Sequence, residues 1–284
     1  MSELEAGIAP GRGHALEALF GRRTAAIGVV HLLALPGSAA YAGATMDAIV
    51  DRALADATAY ARGGIHGLII ENHGDIPFLK PDEIGQETAA TMAVITERVR
   101  REVGLPVGIN VLANGALTAL AVAKAAGAGF VRVNEWANAY VANEGFVEGP
   151  AGRAARYRSW LWAQDVRVFA DVHVKHGAHA IVGDRSIAEL TRDAEFFDAE
   201  AVIATGQRTG DTATIEEVRA VRDATSLPLL VGSGVTTANV GGILRVADGV
   251  IIASSLKVGG AWWNPVDPAR VRPFMDAFDA AMQP

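Results

Sequence analysis

Val168-Phe169-Ala170-Asp171-Val172-His173-Val174-Lys175-His176 alternates in polarity. Phe169, Asp171, His173 and Lys175 fall on one face, and Val168, Ala170, Val172 and Val174 on the other. That period of two marks a strand. A strand with an apolar body that turns to acid, imidazole and amine near its end predicts delivery of acid/base groups into a pocket. A strand fraying into a wet loop is the blander account. Three of the chain's seven histidines lie between His173 and His179, and such clusters favour the pocket.

The same design recurs on both sides of this stretch. Ile27-Gly28-Val29-Val30-His31, Gly67-Leu68-Ile69-Ile70-Glu71, Val107-Gly108-Ile109-Asn110 and Phe130-Val131-Arg132-Val133-Asn134 are short apolar runs that close on a polar residue. Ala201-Val202-Ile203-Ala204-Thr205, Leu229-Leu230-Val231-Gly232 and Gly249-Val250-Ile251-Ile252-Ala253 continue the series. Helices are predicted between them, for example from Thr45 or Asp47 to about Arg62, from Thr214 to Ala224, and from Thr236 or Thr237 to about Val246. Ala15 to Phe20 makes one short helix before the first strand. Eight strand–helix alternations of roughly 25–35 residues match the spacing of βα units. Strands that are apolar nearly throughout suit a parallel sheet covered on both sides. The predicted fold is α/β, a (β/α)8 TIM barrel forming one domain over residues 1–284, with residues 1–13 as a flexible tail. An open doubly wound sheet is the alternative. It usually carries a Gly-rich dinucleotide turn after its first strand, and none is present.

Composition narrows the function. The chain has 284 residues, 50% hydrophobic and 20% charged, with a formal net charge of -7. No basic run interleaves with aromatics, so nucleic acid is not an expected partner. No apolar run approaches the roughly 20 residues of a membrane span. Met1 to Gly13 lacks an apolar signal core, and a cytoplasmic protein is expected. There is no cysteine, which excludes disulfides, a thiolate nucleophile and Cys-ligated metal.

In a barrel of this kind the reactive face lies at the C-terminal ends of the strands. Those ends carry His31, Glu71, Asn110, Arg132 with Asn134, Asp171 with His173 and Lys175, and Thr205. The opposite ends are blander, and His66 there is assigned a structural role. Glu71, Asp171, His173 and Lys175 are the candidate acid/base groups. With burial lowering its pKa, Lys175 also offers a Schiff-base amine. His31, Asn110, Arg132, Asn134 and Thr205 are candidate substrate contacts, although Asn110 and Thr205 equally suit a backbone-satisfying role. Gly232-Ser233-Gly234-Val235 and Ser254-Ser255 follow strands seven and eight. Small residues there let backbone N–H groups approach a phosphate, and a following helix adds its dipole. Lys257 adds charge or sits solvated at the surface. No His-x-His pair or spaced helical His motif appears, so no metal ligand is assigned and no cofactor is called for, a divalent ion being left open. The connection from Glu135 to about Pro150 is long for a βα loop. With Trp136 and Tyr140 in it, it is expected to cover the pocket or to pack on another subunit of a homo-oligomer.

From about Ile27 to Val271 the chain resembles the BtpA/SgcQ family. The resemblance is carried by Leu35-Pro36-Gly37-Ser38, Glu71-Asn72-His73-Gly74-Asp75, Asn110-Val111-Leu112, Arg132-Val133-Asn134, Ala170-Asp171-Val172-His173-Val174-Lys175-His176, Thr205-Gly206, Gly232-Ser233-Gly234-Val235-Thr236 and Ser254-Ser255-Leu256-Lys257. It implies a phosphate-binding barrel like those of phosphoribosyl isomerases, with a small phosphorylated substrate. A cyanobacterial member is tied to photosystem I accumulation, whereas SgcQ-like members accompany sugar-uptake genes and carry a nucleosidase label. Ala113-Asn114-Gly115 stands where the family pattern has an Arg-Asn-Asp-like segment, and Glu135 to Glu144 is unlike the usual loop. Two functions follow as expectations. One is acid/base catalysis on a phosphorylated sugar or nucleotide-like glycoside, of isomerase, lyase or nucleosidase type. The other is a non-catalytic assembly or regulatory role.

Overall fold

Residues 13–206 and 213–283 are described in the computed structural model; most of the expected N-terminal tail lies outside them. Eight strands run parallel and close on themselves: β1 (Ala25–His31), β2 (Gly67–Glu71), β3 (Val107–Asn110), β4 (Phe130–Val133), β7 (Arg167–Asp171), β8 (Ala201–Thr205), β9 (Leu229–Gly232) and β10 (Gly249–Ile252). The ring closes where β1 pairs with both β2 and β10. Outside it lie α2 (Met46–Gly63), α3 (Gln86–Val103), α4 (Ala116–Ala126), α5 (Ala151–Trp160), α6 (Ile187–Phe196), α7 (Ile215–Ala224), the single turn α8 (Val240–Ile243) and α9 (Pro268–Ala281). This is the TIM barrel the apolar repeats predict. Side-chain caps start several of the helices, with Thr45, Ser186 and Thr214 accepting from backbone N–H groups of the first turn.

The barrel strands are buried on both faces, which is why the sequence reads as apolar runs rather than as an alternation. Ala26, Val30, Leu68, Ile70, Val131, Val168, Val202 and Val250 pack under the helices. Their neighbours Ile27, Val29, Ile69, Phe130, Phe169, Ile203, Leu230 and Ile251 fill the barrel interior. Phe130 and Phe169 stack at 4.6 Å, and Gly108 leaves room for the Phe130 ring, which a Cβ there would strike. Helix α1 (Ala15–Phe20) plugs the N-terminal end, sending Leu16, Leu19 and Phe20 into this inner cluster. His66 holds the same end structurally, its Nδ1 accepting from the Ala26 N–H at 2.9 Å.

Two features depart from expectation. The long connection after β4 is a β-hairpin, β5 (Ala139–Ala142) paired antiparallel with β6 (Gly145–Glu148). Trp136 is buried at its base, where Nε1 donates to the Phe197 carbonyl, and Tyr140 packs with Val147 and Val174. The helix expected from Thr236 to Val246 shrinks to α8, four residues long. Gly241 and Gly242 lie within it, and glycine lowers helix propensity by roughly 1 kcal/mol each.

Because α1 closes the barrel floor, Leu16→Ala leaves a cavity against the inner cluster. The expected loss is about 2–5 kcal/mol, read as a lower urea midpoint with an unchanged slope; a midpoint matching the parent chain would remove the plug role.

Candidate functional site

The inward-facing register that is apolar lower in the barrel becomes polar in its top layer. His31, Glu71, Asn110, Arg132 and Asp171 occupy it, all buried. One cavity of about 240 Å3 opens above them, lined by His31, Glu71, His73, Arg132 and Lys175 together with Ser233 to Thr236 and Ala253 to Ser255.

Glu71 sits at the acidic centre. The β1–β2 register pairs it with His31, whose Nε2 lies 3.4 Å from Glu71 Oε1, while His73 Nδ1 lies 2.8 Å from the same oxygen. The two imidazoles stack at 4.5 Å. Trp262 closes over them: its carbonyl lies 3.0 Å from His31 Nδ1, and its indole packs on His73 at 4.4 Å. Burial alone raises the Glu71 pKa, but His73, His31 and Arg132 outweigh it and hold the carboxyl well below the usual carboxylate range. Burial dominates at His31, whose pKa falls to about 3. Burial and then the Arg132 charge lower the Lys175 pKa, against the pull of Glu71 and Asp171.

Arg132 is held from behind. Nε and Nη2 donate to the two oxygens of Asp171 at 3.0 and 2.9 Å, and Asn134 Nδ2 adds a third bond at 3.3 Å. The Asp171 side chain is 0% exposed. Asp171 therefore positions Arg132 and does not face the cavity, a correction to its expected place beside substrate. Asn110 is likewise behind the wall, its Nδ2 donating to the Arg132 carbonyl and to Asn134. Gly232 is not on the lining either; a Cβ there would lie 3.5 Å from Arg132 Nη2.

His173 requires a larger correction. It was expected on the Asp171 face, yet it lies between β8 and the helices α6 and α7, among Ile187, Ala213 and Glu217. The strand stops at Asp171, so strict alternation ends there, and the chain then turns through His176 at φ 67°. The His173 ring lies 3.8 Å from that of His179, tilted by 36°, and its carbonyl accepts from the Thr205 hydroxyl. Thr205 thus ties down this turn instead of meeting the cavity. Lys175, two residues on, does return to it.

The two small-residue loops are joined, Ser255 Oγ donating to the Val235 carbonyl at 2.6 Å. Ser233 and Gly234 take positive φ in succession, 94° and 63°, and runs of such turns make concave nests of N–H groups. The helix-dipole contribution expected here is absent, because α8 begins only at Val240. Lys257 is not solvated: it is 0% exposed, with Nζ 3.6 Å from Asp56. Asn134 lines a second cavity of about 360 Å3 with Phe78, Leu112, Tyr140 and Trp262. His73 and Lys175 border both spaces.

Sequence reasoning left His73, Trp262 and Glu135 without roles. His73 follows Glu71 by two, the spacing that singled out Asp171 and His173. The pair Trp262-Trp263 in a loop with Gly259, Gly260 and Asn264 was the available sign of a cover. Glu135 is buried at the hairpin base, and burial, then the Asp171 charge, push its pKa up to about 8.

The sequence model described as the BtpA family matches residues 22–280. An uncharacterised protein of Archaeoglobus fulgidus is 44% identical over 246 residues, 87% of this chain and 95% of that one. The Photosystem I biogenesis protein BtpA of Synechocystis is 40% identical over 252 residues, 88% of this chain and 86% of its own. Among solved structures, a thiamine phosphate pyrophosphorylase from Pyrococcus furiosus superposes with a TM-score of 0.57 at 13% identity, over 92% of this chain and 98% of that one. The N-(5'-phosphoribosyl)anthranilate isomerase of Pyrococcus furiosus gives 0.56 at 11%, over 90% and 99%. At these identities the likeness is one of fold.

Glu135 gives the site a pH signature. Its folded pKa lies above the ordinary glutamate value of 4.5, so the native state keeps a proton that the unfolded chain has released. Stability is full below the unfolded value and falls as pH rises toward about 8. Glu135→Gln is expected to raise stability at pH 8 by roughly 2–4 kcal/mol and to change little at pH 4. Equal effects at both pH values in urea unfolding would contradict this.

Proposed function

The chain belongs to the BtpA family, and from that premise we propose that it is an enzyme acting by acid/base catalysis on a small phosphorylated sugar or nucleotide-like glycoside. One observation carries the reading. The loops after β9 and β10, joined by the Ser255–Val235 bond, line one cavity together with Glu71, His73, Arg132 and Lys175. The phosphate sits on the Ser233–Thr236 and Ser254–Ser255 side, met by backbone N–H groups. Arg132, fixed in place by Asp171, and Lys175 supply positive charge in the same cavity. Glu71, held ionised, is the base, and His73 at 2.8 Å shares its proton. The second cavity, bordered by the same His73 and Lys175, takes the non-phosphate part of the substrate beneath the hairpin. Isomerisation, lyase chemistry and glycosidic hydrolysis all use this set of groups. A cytoplasmic homo-oligomer belongs to the same proposal, with sedimentation velocity as its check.

A second reading is favoured by the Synechocystis relative, which is named for photosystem I biogenesis. Under it the barrel acts as an assembly or regulatory factor without turnover.

Unfolding temperature in the presence of inorganic phosphate, ribose 5-phosphate and AMP tests the first reading. At ligand concentrations about 100 times Kd the stabilisation is about 2.7 kcal/mol, a shift of several degrees. Gly234→Val is expected to abolish it, because a branched residue at φ 63° closes the nest. Equal shifts from ribose and adenosine, or shifts that survive Gly234→Val, would sink the phosphate site.

A further inference from the structure

We propose that His31, Glu71 and His73 form a binding site for one divalent first-row transition metal ion, with Zn2+ the best match to the ligand set. One ligand atom of each residue lies within 4.8 Å of the other two. Two of the three come from adjacent, paired strand ends, and the third from the turn directly after β2.

The proton of the neutral His31 ring sits on Nδ1. The Trp262 carbonyl, 3.0 Å from Nδ1, can only accept a hydrogen bond, so Nδ1 donates. The neutral ring then has only a lone pair at Nε2, and that atom faces Glu71 Oε1 at 3.4 Å. Two acceptors oppose each other across the gap, an arrangement that a cation between them turns from repulsive to attractive. A backbone carbonyl holding the far nitrogen is also how metal-binding imidazoles are oriented. His73 brings its Nδ1 to the same carboxylate oxygen at 2.8 Å.

The chemistry of the donors selects the ion. Two imidazoles and one carboxylate, with the cavity on the open side, match the three protein ligands of an open zinc site. Mg2+ and Ca2+ prefer oxygen donors and fit this set poorly. The neighbouring cations do not forbid it. Arg132, on the cavity lining, is paired with Asp171, and Lys257 lies at ion-pair distance from Asp56, so among the described residues Lys175 is the remaining cation on the lining. The ion would share the cavity with the phosphate rim, since β1, which ends at His31, pairs with β10. With the ion bound, Glu71 and His73 serve as its ligands in place of the acid/base pair of the metal-free site, and metal uptake, read in the absence of any phosphate compound, is separable from the proposed substrate.

The test uses the full chain without a histidine tag, stripped with a chelator and titrated with Zn2+ by calorimetry and with Co2+ by absorption spectroscopy. The expected result is one equivalent of either ion, with Co2+ giving the visible bands of a low-coordinate nitrogen and oxygen site. His73→Ala and Glu71→Gln each weaken Zn2+ binding by at least about tenfold. The double variant His176→Ala/His179→Ala removes the other histidine-rich stretch and binds as the parent chain does. Circular dichroism and the unfolding midpoint of His73→Ala, a half-buried turn residue, verify that the fold is kept. No uptake of either ion at micromolar concentration overturns the proposal. So does uptake that His73→Ala and Glu71→Gln leave unchanged, or uptake that the double variant abolishes.

Discussion

A guanidinium inside a barrel has to be paired, and the Arg132–Asp171 ion pair meets that demand for the whole upper layer. Taking either charge out of water alone costs several kcal/mol, and removing one partner from such a pair typically costs about 3–5 kcal/mol. The two parallel bonds fix the plane of the Arg132 fork. Neighbouring polar groups then arrange themselves around it. Asn134 adds a bond to Asp171, and Asn110 bonds both Asn134 and the Arg132 carbonyl. Gly232 is bare beside Nη2. The cavity wall is therefore cross-linked by hydrogen bonds rather than built from independent side chains, with Asn110 Oδ1 the one atom of this group left without a partner, and a rigid wall is what a preorganised site requires.

Around that wall the βα loops are latched to one another. Asp75 accepts from the Leu35 N–H and from Asn72, and Asn72 in turn accepts from the Leu112 N–H. The loops after the first three barrel strands are thereby tied together by two side chains. Ser255 likewise ties the loop after β10 to the loop after β9. The motif Glu71-Asn72-His73-Gly74-Asp75 thus divides its labour. Glu71 and His73 face the cavity, while Asn72 and Asp75 hold the loops that shape it. Gly74 has no room for a Cβ, which would meet the Leu32 carbonyl at 2.7 Å.

The hairpin β5–β6 sets this mouth apart from a bare barrel. Tyr140, Ala142, Asn143 and Glu144 border the second cavity, and Val141 pairs with Ala178 in the turn that follows Lys175. The hairpin therefore packs on the same segment that returns Lys175 to the site. Glu135 lies at its base with its pKa pushed up to about 8, by burial and then by the Asp171 charge, so the charge state of this corner changes near neutral pH.

Sequence alone determined the barrel, because burial on both faces of a parallel sheet forces apolar runs, and eight such runs at βα spacing admit few other architectures. It also determined that the strand ends at one rim are polar, and His31, Glu71, Arg132 and Lys175 line the cavity there. The joined loops at Ser233–Val235 and Ser254–Ser255 were legible as well, since small residues at those two strand ends have a physical use. Only the tertiary structure decided the facing. The period of two holds while the ladder holds, and the ladder of β7 ends at Asp171, so His173 leaves for the helix layer while Lys175 comes back. Pairing decided which polar groups are exposed to the cavity: Asp171 carries a charge that a sequence reads as reactive, but Arg132 occupies both of its oxygens. The His31–Glu71–His73 cluster needed the register between β1 and β2, and its cover, Trp262, comes from residues 231 positions away, a distance in sequence across which no local pattern carries information.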